Sequence, residues 1–513
     1  MGGAIEAKKD SKNPCNLFKY FYATCLLIFS VVVVVWMIFD EKTHLSHEIS
    51  PWATIVIMFA ALLWLCMVEG GQGALVGLPP VDPELYKDSH KITYKICSIA
   101  HKGDNLDRYL MGRQFLVIFI VFIVEMCGAP IEGATLYWLP DWASALFLTS
   151  GLAMILFTVQ LGKVPSQVTA SHCMLDYINN YSALFTVYVA LALEWSGILH
   201  FSYVIAMIVA KISRKPIETN EPPRTTVKNV FFWLKCAMSG ALLGFSLAVT
   251  IEALFQGKTT MWEGVPNGVA VFLFFLFMSI VGFLEAMQIA FFAVTKMTKD
   301  ERGDHYFAKK TCHLLFKGKG RNLPSFMIGR QLCVTLCFFI IARVTTLNVE
   351  TGTGENIFGV SDAIQNLFNT GLLGAFVTTI LGSIAWQLVA SAFPIAILAN
   401  PLTYVLLVFC LVLEWTGIVA GAWVVAMINK KIRGFQRDEV YIGTPEERAA
   451  KGDADKDDKL LVGAGHPRIP VQPAGSGEFD LENVDDDDSD GEDETNKNEE
   501  ETTTDNEEAA EKV

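Results

Sequence analysis

Charge is what this chain has least of. Only 18% of its 513 residues are Asp, Glu, Lys or Arg, against about a quarter in an ordinary soluble protein. Hydrophobic residues make up 52%. That balance excludes a soluble globular fold and points to a polytopic membrane protein. The formal net charge of −14 belongs almost wholly to one place: residues 478–513 carry 18 acidic residues against two lysines, a net of −16, which leaves residues 1–477 at +2. No sustained basic stripe interleaved with aromatics runs through the body, and the acidic tail repels phosphate, so nucleic acid is not expected as a partner. The 11 cysteines are odd in number and sit mostly in apolar runs (Cys66, Cys127, Cys236, Cys333, Cys337, Cys410). They read as small buried apolar residues, neither a disulfide framework nor a zinc site. There is no P-loop, H-E-x-x-H, G-x-S-x-G, haem or iron–sulfur spacing, so direct ATP coupling and enzymatic function are not expected. A cleavable signal peptide is not expected either, because the first apolar run is already of membrane length.

What is there is a series of apolar runs near the roughly 20 residues that a membrane helix needs. They fall at about 17–39, 51–70, 112–130, 142–162 and 181–210, then 230–252, 267–286, 329–347, 364–382 and 401–428. The pattern predicts an all-α protein of about ten transmembrane helices in the lipid bilayer. The expected divisions are an N-terminus (1–14), a first transmembrane repeat (15–212), a linker (213–228), a second repeat (229–432) and a tail (433–513) too polar to bury a core. The two halves align. An offset of 216 carries Lys19 to Lys235, Lys42 to Lys258, Glu69 to Glu285 and Gln72 to Gln288. At 217, Gly112-Arg113-Gln114 becomes Gly329-Arg330-Gln331; at 220, Gln167, Ser171, Asn180, Glu194-Trp195 and Gly197 become Gln387, Ser391, Asn400, Glu414-Trp415 and Gly417. So few register shifts over so long a stretch indicate internal duplication.

Duplication in a polytopic chain suggests a transporter with its site where the repeats meet. Five spans per half would make the repeats inverted, which is the favoured arrangement, with 163–180 and 383–400 as broken or re-entrant helices lining the cavity. The charge distribution resists this: the 79–111 and 295–327 loops and the 211–228 linker are all basic enough to be cytoplasmic, as are the termini, whereas five-span halves put some of them outside.

Two constellations recur. The first joins Glu69 and Gln72, one helical turn apart and on one face, to Gly112-Arg113-Gln114; its copy joins Glu285 and Gln288 to Gly329-Arg330-Gln331. A glutamine amide both donates and accepts, so Gln72, Gln114, Gln288 and Gln331 can hold a hydroxylated solute. The alternative is structural: Gly70 and Gly71 stopping the helix and Arg113 reaching headgroups. The second constellation is Gln167, Ser171 and Asn180 with Gln387, Ser391 and Asn400, either lining a cavity among prolines or bonding helix to helix. Glu194 and Glu414, each before a Trp, are duplicated acids that can bind a cation or pair structurally.

The run E-G-G-Q-G-A-L-V-G-L-P-P-V-D followed by K-G-D-N-L-D-R-Y-L-M-G-R-Q closely resembles the diatom silicon transporters, which carry E-G-x-Q and G-R-Q motifs in both halves. The resemblance spans about residues 15–430; in the second half Ala286 stands where the motif has glycine. It implies a multi-pass plasma-membrane protein with both termini cytoplasmic that takes up silicic acid with sodium. Silicic acid and sodium ion are then the expected partners, with no cofactor beyond that coupling ion, and self-association is left open. On this reading Gln72, Gln114, Gln288, Gln331, Gly112, Arg113, Gly329, Arg330, Gln167, Gln387, Ser171, Ser391, Asn180 and Asn400 contact the solute, and Glu69, Glu285, Glu194 and Glu414 the ion. The competing readings are a passive channel for small neutral solutes such as boric or arsenous acid, and a membrane scaffold acting through its acidic tail.

Overall fold

The computed structural model describes residues 14–78, 81–131, 133–214, 224–262, 264–295, 304–317, 322–352 and 354–443; the acidic run 478–513 lies outside them. The described residues are helical, with two isolated bridges and no strand. In the first half the order is α1 (Pro14–Phe39), α2 (Pro51–Gly77), α3 (Lys91–Ala100), α4 (Asn105–Gly128), α5 (Asp141–Thr149), α6 (Leu152–His172), α7 (Met174–Ile178), α8 (Tyr181–Trp195) and α9 (Phe201–Ser213). The second half follows the same order: α10 (Thr226–Gln256), α11 (Asn267–Thr295), α12 (Tyr306–Phe316), α13 (Asn322–Thr345), α14 (Asp362–Asn369), α15 (Leu372–Ala392), α16 (Pro394–Leu398), α17 (Pro401–Trp415) and α18 (Gly421–Arg433).

Among the described residues seven helices are long and apolar enough to cross a membrane, or eight if α5 and α6, bent by 54°, form one span. The expected spans at 181–210 and 401–428 are each divided in two, α8 with α9 and α17 with α18. The division falls at Gly197 and Gly417, both in the left-handed region, where glycine is tolerated without the Cβ penalty. The segments expected to be broken, 163–180 and 383–400, turn at Cys173 and Phe393, whose backbones leave helical geometry. Asn180 and Asn400 then start the next helices by accepting from the Ala183 and Leu402 backbone N–H groups.

Matching ends of the two halves come together. In the first half, Thr43 pairs with Pro130, which puts the α1–α2 connection and the end of α4 together; in the second, Thr259 pairs with Leu347 in the same way. These two ends are neighbours. The Trp262 indole donates to the Thr149 carbonyl at 2.8 Å, Gly151 lies against Phe339, and Gly371 lies against Phe122.

Burial sorts the helices. The apolar windows of α4 and α13 are 83% and 78% buried, whereas those of α1, α2, α10 and α11 are 33–44% buried, leaving large side chains such as Phe21, Trp52, Phe231 and Phe272 exposed as only a lipid-facing surface tolerates. Each half lends its last helix to the other. α9 packs on α15, and α18 packs on α6 and α1. The exchange is pinned at matched positions: Lys235 donates to the Trp195 carbonyl at 2.5 Å and lies over its ring, while Lys19 lies over Trp415 and Tyr22 donates to the Thr416 carbonyl.

After α18 the chain returns to the first half. The Asp438 carboxylate accepts from the Met174 and Leu175 N–H groups at 2.8 and 2.9 Å, and burial pushes its carboxyl up to about 6. Asp176 in turn accepts from the Gln436 N–H at 2.7 Å. Asp438→Ala removes the cap from α7, a loss on the order of 0.5–2 kcal/mol. Limited trypsin digestion is expected to cut faster after Arg433 and Arg437 in that variant than in the wild type; equal rates would show that Asp438 does not hold the segment.

Candidate functional site

Helix α2 runs unbroken through Glu69-Gly70-Gly71-Gln72 to Gly77. The glycines therefore do not stop it, and the helix-ending reading fails. Gly70 is a clearance residue instead: a Cβ there would stand 2.4 Å from Tyr177 Cζ, and at Gly71 3.2 Å from the Tyr109 hydroxyl. Tyr177 is buried and fixed by donating to the Cys66 carbonyl at 2.6 Å. In the second half the positions matching Gly70 and Tyr177 are Ala286 and Ile397. A smaller partner removes the need for glycine, which accounts for the departure from the motif.

Glu69 is buried, and both of its oxygens are engaged. Oε2 lies 3.0 Å from Gln167 Nε2, which donates to it, and 3.7 Å from Arg113 Nη1; Oε1 lies 3.6 Å from Lys163 Nζ. Arg113 also donates through Nη2 to Gln114 Oε1 at 2.6 Å. The second half builds the matching group: Arg330 Nη1 donates to Glu285 Oε1 at 3.3 Å, and Gln387 Nε2 to Glu285 Oε2 at 2.9 Å. Here the fourth member is Ser383, with Oγ 3.5 Å from Gln387 Nε2. The structure thus joins the two sequence constellations, acid with arginine and acid with glutamine, into one cluster per half.

Lys163 bridges the clusters. Only 1% of it is exposed, its ammonium lies 5.3 Å from the Phe338 ring of α13, and it interacts electrostatically with Glu69, Glu285, Arg330 and Arg113. Two carboxylates and three cations therefore share an apolar interior. Several polar atoms there make no hydrogen bond among the described residues: Arg113 Nε and Nη1, Arg330 Nε, and both the nitrogen and the oxygen of the buried Gln160 amide. Unmet buried donors cost about 1–3 kcal/mol each, so the cluster is suited to an oxygen-rich ligand.

Other sequence candidates lie differently. Gly112 and Gly329 are at close helix crossings, where a Cβ would collide with the Ala190 and Cys410 carbonyls. Asn180 and Asn400 cap helices, Ser171 donates to the Val168 carbonyl at 2.9 Å, and Ser391 Oγ is buried without a hydrogen-bond partner among the described residues. Glu194 accepts from the Tyr203 hydroxyl at 3.3 Å, and Glu414 bonds Ser325 and faces Lys19. Gln72 is half-buried, and Gln288 and Gln331 are buried. Sequence reasoning passed over Lys163 and Gln160. The signal was available as a difference between the halves, since a charged Lys163 and a polar Gln160 stand where the second half has the neutral Ser383 and the apolar Ile380. Both also lie in a π-helical turn, 158–163 in α6, matched by 380–384 in α15; such turns are frequent at functional sites.

Gly70→Ala is expected to destabilise the protein by roughly 1–3 kcal/mol, as overpacking does, and Gly70→Ala with Tyr177→Ile to recover most of the loss. Thermal unfolding of both variants in detergent checks this; a neutral single variant would show that the ring yields freely.

No curated protein and no solved structure matches the chain. The family model described as silicon transporter matches residues 11–513, nearly the whole length. With paired acid, arginine and glutamine clusters buried in a bundle of apolar helices, the chain belongs to the silicon transporter family.

Proposed function

We propose that the protein takes up silicic acid across the plasma membrane in symport with sodium, its two homologous halves alternating access to a shared site. The observation that carries the reading is the meeting of the two Glu–Arg–Gln clusters around Lys163. Silicic acid is a small neutral tetrahydroxy solute, which needs paired donors and acceptors more than net charge. The free guanidinium donors of Arg113 and Arg330 supply the former. Gln72, Gln288 and Gln331 supply both, since a glutamine amide donates and accepts. A neutral solute is not concentrated by a membrane potential, and in the absence of a P-loop an ion gradient is the natural drive.

The meeting of matched ends supports a parallel arrangement of the halves, in which the basic segments 79–111, 211–228 and 295–327 share the cytoplasmic side with both termini, as the positive-inside rule asks. Access alternates as α6 and α15 shift against α2 and α11. These are the helices that carry the π-turns and, at Gly151 and Gly371, left-handed breaks.

Uptake of labelled silicic or germanic acid into proteoliposomes, with and without an inward sodium gradient, tests the proposal. Gradient-stimulated uptake is expected. Uptake indifferent to sodium would instead indicate a passive channel, and none at all a role outside transport. Gln72→Ala and Gln288→Ala should each raise the half-saturating solute concentration roughly tenfold, the size of one lost hydrogen bond. Wild-type kinetics in both would remove the glutamines from the site.

A further inference from the structure

We propose that the coupling ion binds in the second half alone, beside Glu285, Ser383 and Gln387, and that the ammonium of Lys163 is its built-in counterpart in the first half. The inference rests on the sodium-coupled reading above and assigns the ion to one of its two equivalent corners.

The argument is a comparison of matched positions. Lys163 and Ser383 correspond at the offset of 220, and both fall in the π-helical turn of their bent or broken helix. In the first half, cations stand on both carboxylate oxygens of Glu69, Lys163 at Oε1 and Arg113 at Oε2. In the second half, Arg330 faces one oxygen of Glu285, and the other receives only the neutral amide of Gln387. Where the first half has the ammonium of Lys163, the second has the fully buried Ser383, whose hydroxyl oxygen lies 3.5 Å from the Gln387 amide nitrogen that donates to Glu285.

An ammonium is a compact point charge, and a sodium ion at the second corner would restore the charge pattern of the first. A hard cation takes oxygen ligands. This corner offers the Glu285 carboxylate, the Ser383 hydroxyl and, after rotation of its amide, the Gln387 oxygen, while a π-turn loosens nearby backbone carbonyls for the remaining positions. Lys163 also sets the count. It is immobilised against Phe338 and reaches Glu285 and Arg330 electrostatically, so it adds repulsion against more than one further cation. With Lys163 already on Glu69, the first corner has no vacancy for an ion.

The test is equilibrium binding of radiolabelled sodium to the purified full-length protein, together with the sodium dependence of silicic acid uptake. The wild type should bind one sodium per chain. Glu285→Gln should lose that ion and Glu69→Gln keep it. Ser383→Ala, a conservative change in a buried position, should raise the half-saturating sodium concentration several-fold. Lys163→Ser makes the first corner resemble the second and should add a site, moving the Hill coefficient for sodium from about one toward about two. Sodium binding that depends on Glu69 and not on Glu285, or that is unmoved by Ser383→Ala, overturns the assignment and leaves symport standing. A wild type that neither binds sodium nor responds to it overturns symport, and this inference with it.

Discussion

Two carboxylates buried in an apolar bundle impose the constraint on which the rest of this structure depends. An isolated charge in such surroundings is too costly to keep, so Glu69 and Glu285 each require a cation and a hydrogen-bond donor at fixed positions. Those partners arrive from two other helices in each half: the arginine from α4 or α13, and the glutamine from α6 or α15. Three helices per half are thereby held to one register. The surrounding glycines follow from the same demand, because Gly112 and Gly329 let α8 and α17 approach those arginine-bearing helices to backbone contact. Removing one member of a buried pair costs about 3–5 kcal/mol, since the other is left uncompensated. The recurrence of acid, arginine and glutamine at matched positions is what such mutual dependence produces.

Much of this was legible in the chain. Helical class, the long apolar runs and the matched residues can be read from hydropathy and register alone, and Glu69, Arg113 and Gln167, like Glu285, Arg330 and Gln387, do come together. Their pairing could not be read, because Glu69 and Gln167 are 98 residues apart and spacing does not say which helices touch. The number and direction of the spans were harder still. The runs 181–210 and 401–428 are apolar throughout, and hydropathy does not register that Gly197 and Gly417 divide each into two short helices. Counting each as one span gives odd halves and inverted repeats. The basic loops carry the opposing information, since charge placement is governed by which side a loop occupies and not by whether the intervening run is continuous.

Reading for similarity alone also hid Lys163. A search for residues shared between the halves discards the positions where they differ, yet Lys163 against Ser383 is a difference of a whole charge at the centre of the molecule. The same blindness applied to Gly70. Taken by itself, the glycine suggested a helix stop; taken with Tyr177 and Ile397, Gly70 and Ala286 are both consequences of side-chain size. Near-symmetry in this protein therefore carries information in two ways, through what is kept and through what is changed together.

The exchanged helices limit how such a molecule can move. If the halves were independent bodies, each would swing with all of its own elements. Here α9 leaves the first half to pack on α15, and α18 leaves the second to pack on α6. Lys19 and Lys235 pin the preceding turns to the opposite half through Trp415 and Trp195. A relative rotation that kept each half intact would have to break both sets of contacts at once. A cheaper division groups α6 with α18 and α15 with α9, and lets each unit slide against the long helices α2 and α11. Those are the interfaces on which Gln167 meets Glu69 and Gln387 meets Glu285. The hydrogen bonds that satisfy the buried acids are then the ones that such a motion must exchange, and a ligand rich in hydroxyl oxygens is suited to take their place as they part.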